Sequence, residues 1–482
     1  MKKLVLLIAL AALAVTVLTA CAAPTAAPTP VPPTTAPTAA PAAVAPTAVP
    51  PAVAPTAVPP TSAPAAVQPT TAPTVAPAAQ AVELRMMWYN DGSEGEVMRA
   101  ILDKFQAANP NIKVKMDTIA YADLDKILQP QVESGTPPDL ARVTNLARYQ
   151  GYFLDLRPNL TNAAAWEANW SPAFLGALRK PDDKTGLYGF PTQFTVSGPF
   201  INRTLFNQAG VAVPSDKNEK VTWQEWVDAA KKVASATKTP YAVAIDRSGH
   251  RLWGPSLSMC AHYVDGLNET KFTIDSPGFR TAANMLIGWH KDKITPLEVW
   301  AGGGGGYAAG NDFFVNGQLV FYFSGNWQIS QFDKLIGNKF EWDAVPNPYG
   351  DCGSTGMPGG AALVTFKATK YPKEVAKLVE YLTGDDVLAE FSAKSLFLPG
   401  SLSLSKKGIT YPSANKQLNT FLKEVGKLTP ESYYLQFNAL GQTLNPEMRD
   451  RLSQVITGEI TLDEAIQRIQ KKMDDAAAAV KK

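Results

Sequence analysis

Cysteine and histidine are almost missing from this chain, at three of each in 482 residues. Protein zinc sites draw heavily on clusters of those two residue types. His250, His262 and His290 cluster neither with one another nor with cysteine, so no metal site is expected. Net charge is also scarce, at +2. No Lys/Arg stripe runs through the sequence, which argues against nucleic acid as a partner. The glycine run Gly302–Gly306 lacks the Gly-Lys-Ser/Thr that a phosphate-binding loop needs after its glycines. It reads as a connector or as a loop beside a site, and no cofactor is expected. A nucleophile elbow of the GxSxG type is absent, and no pair of acids stands out as catalytic. No catalytic residue is nominated.

What is present begins at the N-terminus. Lys2 and Lys3 precede a charge-free apolar run from Leu4 to Leu18. A membrane span needs about 20 apolar residues. A basic start, a shorter apolar middle and a small-residue end instead predict a secretory signal peptide over 1–20. Leu18-Thr19-Ala20-Cys21 resembles the bacterial lipobox. That resemblance implies a diacylglyceryl group on Cys21 and cleavage before it. Several acyl chains would hold the protein at a membrane where one would be marginal. Loss of the signal peptide removes two lysines and leaves a net charge of zero.

Residues 22–80 hold no charge and no aromatic ring, but 17 of the 39 prolines, and the octet VAPTAVPP occurs twice, at 44–51 and 53–60. Such a stretch has too little apolar area to offset its ordering entropy. Residues 21–82 are therefore expected to form a polyproline-like linker, reaching roughly 180 Å at about 3.1 Å per residue if fully extended.

The remaining chain, about 400 residues, exceeds what one core normally serves, and two lobes are expected. Residues 83–89 read as a strand, a polar loop covers 90–94, and Val97, Ala100, Ile101, Lys104 and Phe105 recur at helical spacing. Residues 112–119 alternate as a strand, a helix is predicted over about 122–134, and 140–143 reads as a third strand. This alternation predicts an α/β layer with a mainly parallel sheet. Ligands in such sheets lie beyond the carboxyl ends of strands, which nominates 90–94 and 144–149.

Seven segments then resemble, in order, the family-1 extracellular solute-binding proteins of ABC importers, the group that includes maltose-binding proteins. They are WYNDGSEGEVMRAILDKFQAANPNIKV, SGTPPDL, GYFLDLRPNL, LYGFPTQFTVSGPFINRTLFNQAGV, FFVNGQLVFYFSGNWQISQF, MPGGAALVTFKATKYPKEVAKLVEYL and GEITLDEAIQRIQKKM. The resemblance spans about 83–475. It implies a two-lobed, hinged α/β fold of the type II periplasmic-binding class. It also implies an N-terminal lobe from 83–193 and 360–398, and a C-terminal lobe from 194–359 and 399–482. Pro191, Pro358 and Pro399 with nearby glycines punctuate those borders.

Sugars present hydroxyls at the ring edge and C–H groups on the faces, so their sites combine planar polar side chains with aromatic rings. Trp327, after Ser324-Gly325-Asn326 at the end of an apolar strand, is the first choice, since its counterpart in similar proteins stacks on ligand. Trp253 follows the predicted strand 241–245, whereas Trp88 inside the first strand suits a core equally well. Asp91, Ser93 and Glu94 occupy the first loop, where Ser93 with Glu96 also fits a helix capping box. Asn145 and Arg148 follow the third strand. Gln193 and Thr195 lie at the lobe crossing, Gly359 and Gly360 would let backbone approach a ligand, and Asn326 precedes Trp327. The resemblance adds Tyr434 and Gln436. It leaves Cys260 and Cys352 in the second lobe, free to pair as a disulfide.

The expected function is capture of a sugar or polyol outside the cytoplasmic membrane for an ABC permease, by a lipid-anchored monomer that is not an enzyme. A secreted carbohydrate hydrolase, or a surface sensor or adhesion lipoprotein, is the alternative. Which ligand binds is open, because fold does not fix it.

Overall fold

The computed structural model describes residues 81–180, 182–266, 270–302 and 306–480. The signal peptide, Cys21 and nearly all of the proline-rich linker lie outside those residues.

Among the described residues, eight strands form the backbone of the fold: β1 (Val82–Tyr89), β2 (Ile112–Ile119), β3 (Leu140–Val143), β4 (Gly189–Asn202), β5 (Tyr241–Ile245), β6 (Leu319–Gly325), β7 (Trp342–Ala344) and β8 (Pro358–Thr365). Their order is β2-β1-β3-β8-β4-β6-β5, with β7 also on β4. Strand β1 runs parallel to β2 and β3, and β5 parallel to β6. The strands between these groups are antiparallel: β8 against β3 and β4, and β6 and β7 against β4. The sheet is therefore mixed, parallel only toward its outer strands.

Strand β4 joins two lobes. Its first half, Gly189–Val196, pairs with β8, and its second half, Ser197–Asn202, pairs with β6 and β7. The register shifts between Pro191 and Gln193, where proline cannot donate to the ladder.

Apolar patterning accounts for the layers. In β1 the first four residues alternate buried and exposed, and the last four, MMWY, are all buried. Helix α1 (Glu94–Ala108) covers this region with Met98, Ile101, Leu102 and Phe105, one helical face at i, i+3, i+4 and i+7. That face is turned from the expected one, since Ala100 and Lys104 point to solvent. Helix α2 (Leu124–Glu133) buries Leu124, Leu128 and Val132 in the same way. One core takes its side chains from residues 82–190 and 361–404, and two others from 196–473. In the second lobe, α3 (Trp223–Thr237) opens with a complete capping box between Thr222 and Glu225. Farther along the chain come, among others, α4 (Gly249–Ser258), α5 (Ile329–Ile336), α6 (Leu402–Lys407), α7 (Pro430–Phe437), α8 (Ala439–Ile456) and α9 (Leu462–Val480), of which α6 returns to the first lobe.

Helix α6 lies past the boundary expected at 398, yet its Leu404 joins the first core and the Leu402 N–H donates to the Asn169 carbonyl at 2.9 Å. Cys260 and Cys352 are joined by a disulfide. It ties the end of α4 to the loop before β8 across a sequence separation of 92 residues. A closed loop of that size is worth about 4–5 kcal/mol in the chain-entropy account. Among the described residues no helix is long and apolar enough to cross a membrane.

Candidate functional site

The carboxyl ends of β1 and β3 from one lobe and of β5 and β6 from the other open onto one cleft, of about 760 Å³. This is within the roughly 300–1,000 Å³ typical of small-molecule sites.

The floor is the crossing itself. Gln193 and Thr195 of β4 line it, with Gly359 and Gly360 of β8. Gly360 has φ 144°, and a Cβ there would stand 2.4 Å from the Gln193 carbonyl. Only glycine fits at this close pairing.

On the first-lobe side, Tyr89, Asp91, Asn145 and Arg148 line the cleft together with Tyr121 and Asp125. Tyr121 and Tyr89 form an aromatic pair with ring centroids 5.0 Å apart. Arg148 makes an ion pair with Asp125 at 3.4 Å. Behind this wall sits Arg142, fully buried in β3. Its Nη1 donates to the Tyr89 carbonyl at 2.5 Å and to Glu94 at 2.8 Å, and its Nη2 donates to Asp91 at 3.0 Å. The guanidinium also lies 4.1 Å from the Tyr89 ring centroid. Glu94 accepts in addition from the Asp91 and Gly92 N–H groups, at 2.5 and 2.8 Å. It is a buried brace for the loop and does not face the cleft. Burial pushes the Asp91 carboxyl above its ordinary range, while Arg142 pulls the other way.

On the second-lobe side, Asp246, Arg247, His250 and Arg251 follow β5, and Trp327 follows β6. Asp246 accepts from Ser324 Oγ at 2.6 Å, from Arg251 Nε at 3.2 Å, and from the Tyr322 hydroxyl. His250 is held neutral: its Nε2–H donates to the Pro358 carbonyl at 3.1 Å and its Nδ1 accepts from Arg251 at 2.6 Å. Burial, then the Arg251 charge, push its pKa down to about 3. The ring of Trp327 lies back on Gly325, where a Cβ would meet it at 2.0 Å. The indole also reaches the first-lobe core.

The cleft thus gathers Asp91, Asn145, Arg148, Gln193, Thr195, Trp327, Gly359, Gly360 and Gln436 from the expected set. Five others stand elsewhere, each for a visible reason. Ser93 makes no capping hydrogen bond; its Oγ meets Ser330 Oγ of the other lobe at 2.9 Å. Glu94 is spent on Arg142. Trp253 is wholly buried in the second-lobe core, its Nε1–H on Met448 Sδ at 3.2 Å. Asn326 is buried too, and accepts from the Val196 N–H at 2.8 Å, pinning its turn to β4. Tyr434 stacks on Phe272 against the same core as Trp253, with centroids 6.4 Å apart.

Sequence reasoning missed the polar run Asp246–Arg251 and the cleft face of α8. The first was legible, because it directly follows a strand. On α8, Gln442, Asn445, Pro446 and Arg449 all line the cleft, at the i, i+3, i+4 and i+7 positions of one helical face.

A two-lobed α/β protein with a polar, aromatic-lined cleft at its crossing strands is built as a solute-binding protein. The bacterial extracellular solute-binding protein family model matches residues 89–389, and the chain belongs to that family. It is similar to the multiple sugar-binding protein of Streptococcus mutans, 27% identical over 316 residues that cover 61% of this chain and 70% of the relative. Among solved structures, it resembles an ABC substrate-binding protein from Listeria monocytogenes in complex with cycloalternan, with TM-score 0.68, 18% identity, and 83% of this chain and 100% of that chain covered. It also resembles maltose-bound MalE3 of T. maritima, with TM-score 0.67, 19% identity, and 82% and 100% covered. At such identities the structural likeness speaks for the fold.

Proposed function

We propose that this protein captures an oligosaccharide outside the cytoplasmic membrane and hands it to the transmembrane subunits of an ABC permease. It would act as a monomer, tethered through a lipid on Cys21. The observation that carries the reading is the composition of the cleft. Amides and hydroxyls such as Asn145, Gln193 and Thr195 stand beside the rings of Trp327, Tyr89 and Tyr121. Amides offer a donor and an acceptor to a hydroxyl pair, and rings cover the C–H faces of a sugar. The sugar-binding names of the relatives support the same reading.

A thermal-shift screen of maltose, maltotriose, cyclic glucans, other oligosaccharides and polyols tests it. A ligand at 100 times its Kd adds about 2.7 kcal/mol to stability. If no carbohydrate in the panel moves the transition, sugar capture is wrong. Capture without cleavage is part of the proposal: Asp125 and Asp246 are held by Arg148 and Arg251, and the bound oligosaccharide should be recovered uncut. Cys21→Ser should release the protein from the membrane or leave it unprocessed; normal processing and retention of that variant would rule out the anchor.

A further inference from the structure

We propose that the cleft selects uncharged, hydroxyl-rich ligands and rejects their phosphorylated or carboxylated counterparts, because its arginines are committed to carboxylates of the protein itself. This rests on the sugar-capture reading and narrows it. Four arginines line the cleft and a fifth, Arg142, backs it. Arg142 holds Asp91 and Glu94 at 3.0 and 2.8 Å, Arg148 holds Asp125 at 3.4 Å, and Arg251 holds Asp246 at 3.2 Å. Arg247 and Arg449 share Asp450, at 2.9 and 2.8 Å.

Five guanidinium groups thus face five carboxylates, and the assembly is neutral. His250, the histidine on the wall, adds no charge, since both ring nitrogens are used within the protein. No lysine is found among the described lining residues. An incoming phosphate or carboxylate would lose its hydration and would have to compete with these carboxylates for each cation, and burying a poorly paired charge is costly. Strong anion sites instead offer free guanidinium forks or backbone N–H groups.

The groups left for a ligand are uncharged. They include the side chains of Asn145, Thr195 and Gln442, which line the cleft. A sugar hydroxyl can donate to them, whereas an ionised phosphate or carboxylate offers only acceptors.

Calorimetric titration of the full chain with matched pairs tests the proposal. The first pair is the tightest-binding neutral oligosaccharide of the screen and its C6-oxidised form, which adds a carboxylate to an otherwise unchanged ring. Glucose and glucose 6-phosphate, and glycerol and glycerol 3-phosphate, are further pairs. The charged member of the first pair should bind at least tenfold more weakly. Asp450→Asn, at a half-exposed position, frees Arg247 and Arg449 and should narrow that gap at least threefold. Equal or tighter binding of the charged members overturns the inference and leaves sugar capture standing. An unchanged gap in Asp450→Asn overturns the stated cause. Binding of neither kind removes both readings together.

Discussion

The guanidinium of Arg251 lies 4.0 Å from the centroid of the Trp327 ring. One face of the indole is therefore occupied by the protein, and a ligand that stacks on Trp327 must use the part of the ring that Arg251 and Gly325 leave open. Because Trp327 is half-buried and packs against the first-lobe core without being one of its buried members, truncating it should affect binding more than folding. Trp327→Ala should weaken sugar binding by about 1–3 kcal/mol, the scale of a large side chain's buried apolar area. Titration calorimetry beside melting of the ligand-free variant checks this. Intact affinity with a loss of about 3–5 kcal/mol in stability would assign the ring to a core instead.

Ser93 and Ser330 carry a second prediction. Their 2.9 Å contact joins the first loop to α5 across the lobes, so it exists only while the lobes are together. Closure of paired lobes around a ligand is a common motion of this architecture. Ser93→Ala should weaken binding by about 0.5–1.5 kcal/mol, the usual net worth of one hydrogen bond. Solution scattering of the liganded variant should show a larger open fraction. Unchanged affinity and unchanged scattering would show that the contact contributes nothing to closure.

Arg142 is predicted to be a matter of stability first. Arg142→Met leaves Glu94 buried without its cation, and breaking one side of a buried ion pair costs about 3–5 kcal/mol. The double variant Arg142→Met, Glu94→Gln should recover a good part of that loss. Urea unfolding of the three proteins gives the comparison. A single variant as stable as the parent would mean that the pair is dispensable.

His250 sets a pH dependence. Its folded-state pKa is depressed, from 6.5 to about 3. Between those values the unfolded chain binds a proton that the folded one refuses, so stability rises with pH there. The contribution is complete above about pH 6.5 and is lost as pH falls toward 3. His250→Gln should flatten this limb of the stability curve, measured by urea unfolding from pH 7 to pH 4. Parallel limbs for the two proteins would place the acid sensitivity in other groups.

Much of the fold was legible in the sequence because its signals are local. Strands β1, β2 and β3 and their helices appear as short periodic runs, and the ordered family segments extended that reading into the second lobe. The antiparallel centre was not legible, because the pairing of β8 with β3 and β4 joins residues far apart in the chain. Site residues divided by how much local position decides. Gln193, Thr195, Gly359 and Gly360 line the cleft because they sit at the crossing. Trp253 was misplaced because an aromatic ring just past a strand suits a cleft and a core alike, and α4 turns it inward onto Met448. Glu94 was misplaced because nothing in its loop announces Arg142. A lone arginine within the short buried run Leu140–Val143 was the available sign that a carboxylate had to stand nearby.

The path of β8 has a consequence for the order in which the molecule can form. Val143 of β3 pairs with Ala362, and Gly189 of β4 with Val364. During synthesis the first lobe therefore lacks a central strand until the whole β5–β7 region has been made. Its sheet cannot close on the emerging chain, and pairings so distant in sequence form slowly. A nascent fragment ending before β8 would leave the hydrogen-bonding edges of β3 and β4 unpaired. The first lobe should accordingly be insoluble as a separate fragment unless β8 is grafted onto it.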